Sequence, residues 1–168
     1  MTALKRGFTL IELLIVMAIL GVLAVVVLVA INPAEQMRRA RDTGRISGVQ
    51  QIGRAMAAYY TANGVLPAAA AATWSAALTD TEELQTIPSG ITPTGYAGCG
   101  GASAVNGTWC YGTDGVEDFA VWASLESQQR ISSCAPATSA FAVYSSVDAR
   151  GGVSGSAPSA GNAVNFCE

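Results

Sequence analysis

The apolar residues are concentrated at the N-terminal end of the chain. Residues 8–31 form a run of 24 positions in which only Thr9, Glu12 and Gly21 are not apolar. An α-helix rises about 1.5 Å per residue, so this run spans roughly 36 Å, against about 30 Å for the hydrocarbon core of a bilayer. The pattern therefore predicts a helix that is long and apolar enough to cross a membrane.

After Pro33 the apolar positions recur with the period of an amphipathic helix. They fall at intervals of three or four along one face, at Ile46, Val49, Ile52, Met56 and Tyr59. Asn63-Gly64 and Pro67 are stop signals. We therefore expect the helix to continue to about Ala62 and to pack its apolar face on the rest of the chain.

Short runs of aromatic and β-branched residues in the second half of the chain predict strands. The strands are expected at residues 109–111, 119–125 and 141–144. Together with the helix they indicate a small antiparallel sheet in an α+β fold. Asn106-Gly107 is a hairpin dipeptide, and a two-residue turn there would place Cys110 opposite Ser103.

Two segments show weaker patterns. Residues 68–93 are alanine-rich and are interpreted as a linker, in which Thr79 or Asp80 is expected to cap a short helix running to about Thr86. Whether its alanine run is helical stays open. The Ser/Gly-rich residues 151–163 are expected to form a flexible surface loop.

The composition excludes several functions. The chain of 168 residues contains no histidine, which excludes Ser-His-Asp and Cys-His catalysis as well as histidine metal ligands. Its sequence pI of 4.9 disfavours a basic nucleic-acid-binding domain. No other set of residues indicates catalysis, so we expect a protein that is not an enzyme and has no cofactor.

The apolar run does not fit a secretory signal or a plain membrane anchor. Secretory signals have an apolar region of about 7–15 residues followed by a small-residue cleavage site. Here the small residue, Gly7, precedes the run and follows the basic Lys5 and Arg6. A carboxylate at the membrane centre costs roughly 2.5–3.5 kcal/mol and is normally functional or paired. Glu12 is therefore expected to have a partner.

These residues carry a family resemblance. The stretch KRGFTLIELLIVMAILGVLAVVV at 5–27 resembles the N-terminus of type IV pilins and type II secretion pseudopilins, with a basic leader, a glycine, Phe-Thr-Leu-Ile-Glu and an apolar helix. Two later stretches are also similar to the family. They are QQIGRAMAAYYTANGVLP at 50–67 and YGTDGVEDFAVWASLES at 111–127.

The resemblance implies a processing and assembly pathway and a domain organisation. A prepilin peptidase would cut after Gly7 and, as a methyltransferase, would N-methylate Phe8. The precursor would lie in the inner membrane and be assembled by an inner-membrane platform, with copies of itself, into a cell-surface filament. The implied parts are a leader at 1–7, a transmembrane and filament-core helix at 8–31, an amphipathic continuation at 32–62, and a globular body with a C-terminal disulfide loop at 63–168.

Glu12 then has an expected role in assembly. The Phe8 amine is a cation only after cleavage, and an ion pair between it and Glu12 of a neighbouring subunit would satisfy both charges and fix the axial register. Gly21 and Pro33 each weaken a helix. In the family the helix is often unwound between comparable positions. Two interpretations therefore stay open: the helix unwinds locally between Gly21 and Pro33, or it simply tolerates these two residues.

The four cysteines are spaced too widely for a CxxC zinc or redox motif, and an exported body permits disulfides. They are Cys99, Cys110, Cys134 and Cys167. Of the three possible connectivities we favour Cys99–Cys110 and Cys134–Cys167. The second pair resembles the C-terminal disulfide loop that is common in pilins.

Two charge patterns each allow two interpretations. Asp114, Glu117 and Asp118 suggest Ca²⁺, and the main type II secretion pseudopilins have a calcium loop near here, but the spacing matches no complete loop and a solvated turn is favoured. Residues 8–54 carry a net charge of +2 and residues 55–168 one of −7. The acidic part is either a solvated surface or a surface that meets the arginines at 38–54 of a neighbouring subunit.

The favoured function is a structural filament subunit, a major pilin. The first alternative is a type II secretion pseudopilin from the same superfamily. The remote alternative is a membrane-anchored binding module, which predicts no processing after Gly7 and a pocket with convergent polar groups.

Overall fold

The structure is a computed structural model that describes residues 7–90, 99, 103–105 and 109–167, with the backbone alone at positions 71, 72, 103 and 104. The predicted leader side chains Lys5 and Arg6 and the predicted Asn106-Gly107 turn lie outside the described residues. The chain divides into two compact units, Met1–Met37 and Arg38–Glu168.

Two helices follow each other at the N-terminal end. Helix α1 comprises Leu10–Ile31 and helix α2 comprises Pro33–Asn63, one residue beyond the predicted end. Between them Asn32 adopts a left-handed conformation with φ 47°, which asparagine tolerates better than most residues. Pro33 has no backbone N–H to donate, so the hydrogen-bond ladder of α1 stops here and α2 starts with proline at its first position.

The second unit contains a five-stranded antiparallel sheet. Its strands are β1 (Ser103–Val105), β2 (Trp109–Thr113), β3 (Phe119–Ser124), β4 (Phe141–Ser145) and β5 (Arg150–Ser154). They lie side by side in chain order, each paired with the next. The predicted α+β fold is confirmed, and the three expected strands correspond to β2, β3 and β4.

Helix α2 packs on this sheet through two glycines. A Cβ at Gly48 would lie 2.3 Å from Cη2 of Trp109, and a Cβ at Gly53 would lie 2.2 Å from Cγ of Tyr144. Only glycine permits so close an approach of the helix backbone to the two rings. The predicted apolar stripe lies in this contact, and its central residue Ile52 is fully buried.

The prediction for the alanine-rich segment is wrong. Helix α3 comprises Ala71–Asp80, so it ends where a helix was expected to begin. The reason is that Trp74 and Leu78 lie one turn apart and are both fully buried, which gives the alanine run an apolar face. The Thr79 hydroxyl donates back to the Ser75 carbonyl at 3.2 Å, as a hydroxyl inside a helix does.

Two further expectations need correction. The expected loop at 151–163 begins inside β5, because Gly152 lets Phe166 pack against the strand and the Cys167 N–H donates to the Val153 carbonyl at 2.7 Å. A register in which Ser103 lies opposite Cys110 is also not observed, because Ala104 pairs with Cys110. A short helix, α4 (Gln128–Ser133), had not been predicted.

Candidate functional site

The segment before α1 ends in a capping box. Thr9 is the N-cap of α1 in extended conformation, and the Glu12 backbone N–H donates to Thr9 Oγ1 at 3.3 Å. In return the Thr9 N–H and hydroxyl donate to Glu12 Oε2 at 3.0 Å and 2.8 Å. This reciprocal pairing starts the helix at Leu10 and leaves the Gly7–Phe8 peptide bond outside it.

The Gly7–Phe8 bond is sterically accessible. Gly7 is exposed, and a Cβ built on it would meet no atom within 4 Å. The Phe8 side chain is 77% exposed. Glycine is therefore not required at position 7 by packing or by a positive φ.

The Glu12 carboxylate has one oxygen engaged and one available. Both hydrogen bonds from Thr9 end on Oε2, and within the described part of the chain no donor reaches Oε1. The carboxylate lies in the first turn of α1, where the helix dipole favours a negative charge. A cation approaching from outside the chain can bind at Oε1 without breaking the capping box.

Helix α1 has no buried residue along its 22 positions. It is the one helix of the described residues that is long and apolar enough to cross a membrane. Gly21 also faces open space. A continuous apolar surface of this size is not stable against water, so lipid or other protein must cover it.

A buried ionic cluster joins α2 to the loop after β3; we call it the Asp42 cluster, and it consists of Arg41, Asp42, Arg45 and Glu126. Asp42 and Arg45 are 1% and 2% exposed. Arg45 donates 2.8 Å to Asp42 Oδ1 and also donates to Glu126, and Arg41 donates 2.7 Å to Glu126.

The Asp42 carboxylate also holds the loop backbone. It accepts the Glu126 N–H at 3.0 Å on Oδ1 and the Ser127 N–H at 2.8 Å on Oδ2. Ser127 is the N-cap of α4. One buried side chain of α2 thus fixes the point where β3 ends and α4 begins.

Charge compensation within the cluster is visible in the pKa of Glu126. Burial opposes ionisation of this carboxyl, but the hydrogen bonds and positive charges of Arg41 and Arg45 outweigh it and lower its pKa. The hydrogen bond to Glu126 raises the pKa of Arg41. Glu126 is therefore a carboxylate at neutral pH.

The Asp42 cluster was not predicted from the sequence, although the pattern of α2 contains a signal for it. Asp42 and Arg45 continue the spacing of the apolar stripe toward the start of α2, so the pattern placed two charges on a buried face. Of the arginines at 38–54, Arg41 and Arg45 bind Glu126 of their own chain.

The acidic turn between β2 and β3 is held by its own hydrogen bonds. Asp114 Oδ1 accepts the backbone N–H groups of Val116 and Asp118 at 2.9 Å and 3.1 Å, and the first of these bonds lowers the pKa of Asp114. Asp118 Oδ1 accepts the Ser146 hydroxyl at 3.2 Å. Glu117 is exposed. Over the described ranges no three carboxylate or cysteine side chains are grouped to hold a metal ion.

The cysteines form two disulfides, Cys99–Cys110 and Cys134–Cys167, which are the pairs favoured among the three connectivities. The first bond is made to β2, and the second attaches the C-terminal segment to the end of α4. The Phe166 ring adds to this attachment, because the Arg150 guanidinium lies 4.3 Å from its centroid.

Two surface depressions in the body lack a set of converging free polar groups. One lies beside the Cys134–Cys167 bond and is lined by Ala137 and Phe166 among others. The other lies between α2 and residues 88–90, and its charged lining is the already paired Arg41 and Arg45. Neither depression resembles the pocket that a binding module would require.

Comparison with known proteins identifies the N-terminal segment. Residues 3–28 match the family model of the prokaryotic N-terminal methylation motif. This motif is the class III signal peptide of type IV pilins and pseudopilins, so the chain carries the N-terminus of a pilin-like or pseudopilin precursor. No curated protein and no solved structure matches the chain.

Proposed function

We propose that this chain is the major structural subunit of a type IV pilus-like extracellular filament. Prepilin peptidase cuts the precursor after Gly7 and N-methylates Phe8, and an inner-membrane platform assembles the product with copies of itself. The observation that carries the proposal is α1, a helix of 22 residues without a buried position, most of which lies in the methylation motif at residues 3–28.

The exposed apolar surface of α1 fits two successive environments, first the membrane and then the filament. Burying one Val, Leu or Ile side chain contributes about 1.5–3 kcal/mol, and α1 carries such residues on all sides. Lipid covers them in the precursor. Side-by-side packing with the α1 helices of other copies covers them in the filament, so release from the membrane does not expose them to water.

Glu12 supplies the register of this packing. Cleavage after Gly7 creates a cationic amine at Phe8, and N-methylation leaves it basic. This cation lies at the N-terminus of a helix, where the dipole disfavours it by about 0.3–1 kcal/mol. The Oε1 atom of Glu12 on a neighbouring α1 is available to bind it. A copy placed out of register leaves both charges unpaired in an apolar bundle.

The test separates this role from helix capping. We compare Glu12→Ala with Thr9→Ala, its matched control, because both substitutions remove the same capping box. Loss of a cap costs about 0.5–2 kcal/mol, whereas an unpaired buried charge costs about 3–5 kcal/mol. We expect Glu12→Ala to be cleaved and inserted but to form almost no filament, and Thr9→Ala to assemble. Equal filament yields from the two variants would refute the pairing.

Mass spectrometry of surface material tests the processing step. The expected N-terminus is methylated Phe8, and an intact leader in mature surface protein would refute the proposal. Retention of the leader is also what a membrane-anchored binding module predicts.

The alternative of a type II secretion pseudopilin has its own phenotype. The two disulfides of the body and the self-contained Asp114 turn support a pilin over a calcium-dependent pseudopilin. If the chain is a major pilin, its deletion abolishes the filaments that can be sheared from the cell surface. Deletion that leaves surface filaments intact but stops protein secretion would establish the pseudopilin instead.

A further inference from the structure

The Gly7–Phe8 bond lies in a short non-helical segment directly before α1. Gly7, Phe8 and Thr9 belong to neither a helix nor a strand. Thr9 is extended, with φ −85° and ψ 148°, and α1 begins at the next residue, Leu10. Only Phe8 and Thr9 therefore separate this bond from the first residue of a long helix, and a helix that began one turn earlier would include it.

The conformation of this bond matters for its hydrolysis. Water adds to the Gly7 carbonyl carbon, the C–N bond breaks, and its electron pair and a proton go to the Phe8 nitrogen. In an α-helix each carbonyl oxygen accepts the N–H four residues later in the chain. A peptide recognised through its backbone instead binds in extended form. A Gly7–Phe8 bond inside the helix would have to unwind before an enzyme could bind it.

The Thr9 hydroxyl fixes the start of the helix. It accepts the Glu12 N–H at 3.3 Å, which in a longer helix would donate to the Phe8 carbonyl. The backbone ladder of α1 then begins with the Leu13 N–H, which donates to the Thr9 carbonyl at 3.3 Å. The Thr9 N–H donates to Glu12 Oε2 at 3.0 Å. Side chains thus bind the N–H groups of Thr9 and Glu12, and neither pairs with a carbonyl earlier in the chain.

Lipid makes this cap more important than it would be in water. The first N–H groups of a helix have no partner within the helix, and the hydrocarbon of a bilayer offers none. A helix that lacks the Thr9 hydroxyl can satisfy its leading N–H groups by extending over Phe8 and Gly7. Loss of an N-cap shifts an equilibrium of this kind by about five- to thirtyfold.

Gly7 indicates that the segment is adapted to a molecule outside the chain. A Cβ at Gly7 would meet no atom within 4 Å, and its φ is not positive. Neither packing nor backbone conformation within the chain therefore requires glycine here. The methylation motif, which implies processing by prepilin peptidase, spans this position. The binding partner that this segment fits is the peptidase.

We propose that Thr9 is a positioning residue for cleavage of the precursor, because it starts α1 at Leu10 and keeps the Gly7–Phe8 bond outside the helix. This inference rests on the proposed function for the identity of the enzyme. Thr9 acts through the backbone of α1 and before assembly, so its role is separate from that of Glu12 in the filament. Glu12→Ala retains the backbone N–H that the Thr9 hydroxyl accepts, and it is expected to be cleaved at nearly the wild-type rate.

The test is cleavage of the full-length precursor by purified prepilin peptidase in vesicles of phosphatidylethanolamine and phosphatidylglycerol. Thr9→Val keeps the shape of threonine without a side-chain oxygen, whereas Thr9→Ser and Thr9→Asn keep a capping oxygen and change the shape. Because only the form with the bond outside the helix binds, Thr9→Val is expected to raise KM at least about threefold with kcat unchanged. The Thr9→Ser and Thr9→Asn variants are expected to stay within about twofold of the wild type.

The start of the helix is measured in the same uncleaved precursors. The ¹³C chemical shifts of Gly7 and Phe8 are expected to move toward helical values in Thr9→Val and to stay at their wild-type values in Thr9→Ser. A role of Thr9 in contacting the peptidase alone would leave these shifts unchanged, because no enzyme is present.

Thr61→Val is the matched control for the loss of a hydroxyl. Thr61 is exposed on α2, and its hydroxyl donates to the Ala57 carbonyl at 2.8 Å. The Thr61→Val precursor is expected to be cleaved with the KM and kcat of the wild type.

The outcomes distinguish this inference from the proposed function. Thr9→Val with the KM of the wild type overturns the inference. A loss in Thr9→Ser and Thr9→Asn equal to that in Thr9→Val also overturns it, because the peptidase would then recognise the side chain itself. Both results leave the proposed function intact as long as the wild-type precursor is cleaved after Gly7. A wild-type precursor that the peptidase does not cleave overturns the proposed function and this inference together.

Discussion

Asp42 is the residue whose removal tests best how the body is attached to α2. The perturbation is Asp42→Ala, which deletes a carboxylate that is 1% exposed. It leaves the buried Arg45 with Glu126 as its remaining carboxylate and removes the acceptor of the Glu126 and Ser127 N–H groups.

The expected loss follows from these contacts. Breaking a buried ion pair by removing one partner costs about 3–5 kcal/mol, and each unsatisfied buried N–H adds about 1–3 kcal/mol. Because Arg45 retains Glu126 and water can enter the space left by Asp42, we expect about 3 kcal/mol. That is a large fraction of the roughly 5–15 kcal/mol that stabilises a typical domain.

The assay is urea unfolding of the full chain in detergent, with the disulfides intact and tryptophan fluorescence as the signal. Glu82→Ala, an exposed carboxylate on the same body, is the control and should change stability by less than about 0.5 kcal/mol. Arg45→Ala and the double variant complete a cycle, in which we expect strongly non-additive losses. If Asp42→Ala lowers stability by less than about 1 kcal/mol, the cluster does not hold the body in place.

Three further predictions concern the same body. Gly48→Ala places a methyl group 2.3 Å from an indole ring and should cost about 1–3 kcal/mol, whereas Gly44→Ala, which faces open space, should stabilise α2 by about 0.5–1 kcal/mol in thermal unfolding. The lowered pKa of Glu126 stabilises the fold above the ordinary carboxyl pKa of about 4.3, and this contribution is lost as the pH falls through the lower folded value. The Glu126→Gln variant should thus be less stable than the wild type at pH 7, yet its free energy of unfolding should fall less between pH 7 and pH 3. An equal fall in the two proteins would contradict this. Replacing Cys134 and Cys167 by serine opens a loop with a sequence separation of 33 and should lower stability by about 3.7 kcal/mol, checked by unfolding under non-reducing conditions.

The elements that the sequence predicts well are those with a signal inside one segment. α1 and α2 follow from an unbroken apolar run and from a regular stripe, and the break between them follows from Pro33. Helix α3 was missed because its buried face consists of only Trp74 and Leu78 among alanines. β5 was missed because glycine has low strand propensity, and its pairing with β4 supplies the missing preference.

The Asp42 cluster shows a different limit of sequence reasoning. Asp42 and Glu126 are 84 residues apart in the chain, so no local pattern joins them. A charged residue on the buried stripe of α2 does indicate that a compensating group exists, because burying an unpaired charge costs too much free energy. The pattern does not indicate where in the chain that group lies. Its position is decided by the tertiary structure, in which β3 ends beside α2.

Glu12 can be understood from the sequence and the structure together, and from neither alone. The sequence places a carboxylate in an apolar run, which demands a cation. The structure shows that Thr9 satisfies Oε2 by capping and that Oε1 stays available. A capped carboxylate is already held at the helix terminus, so pairing with an incoming amine requires little further ordering of the side chain. The capping box and the proposed assembly contact are therefore cooperative, and Thr9→Ala should weaken assembly slightly where Glu12→Ala abolishes it.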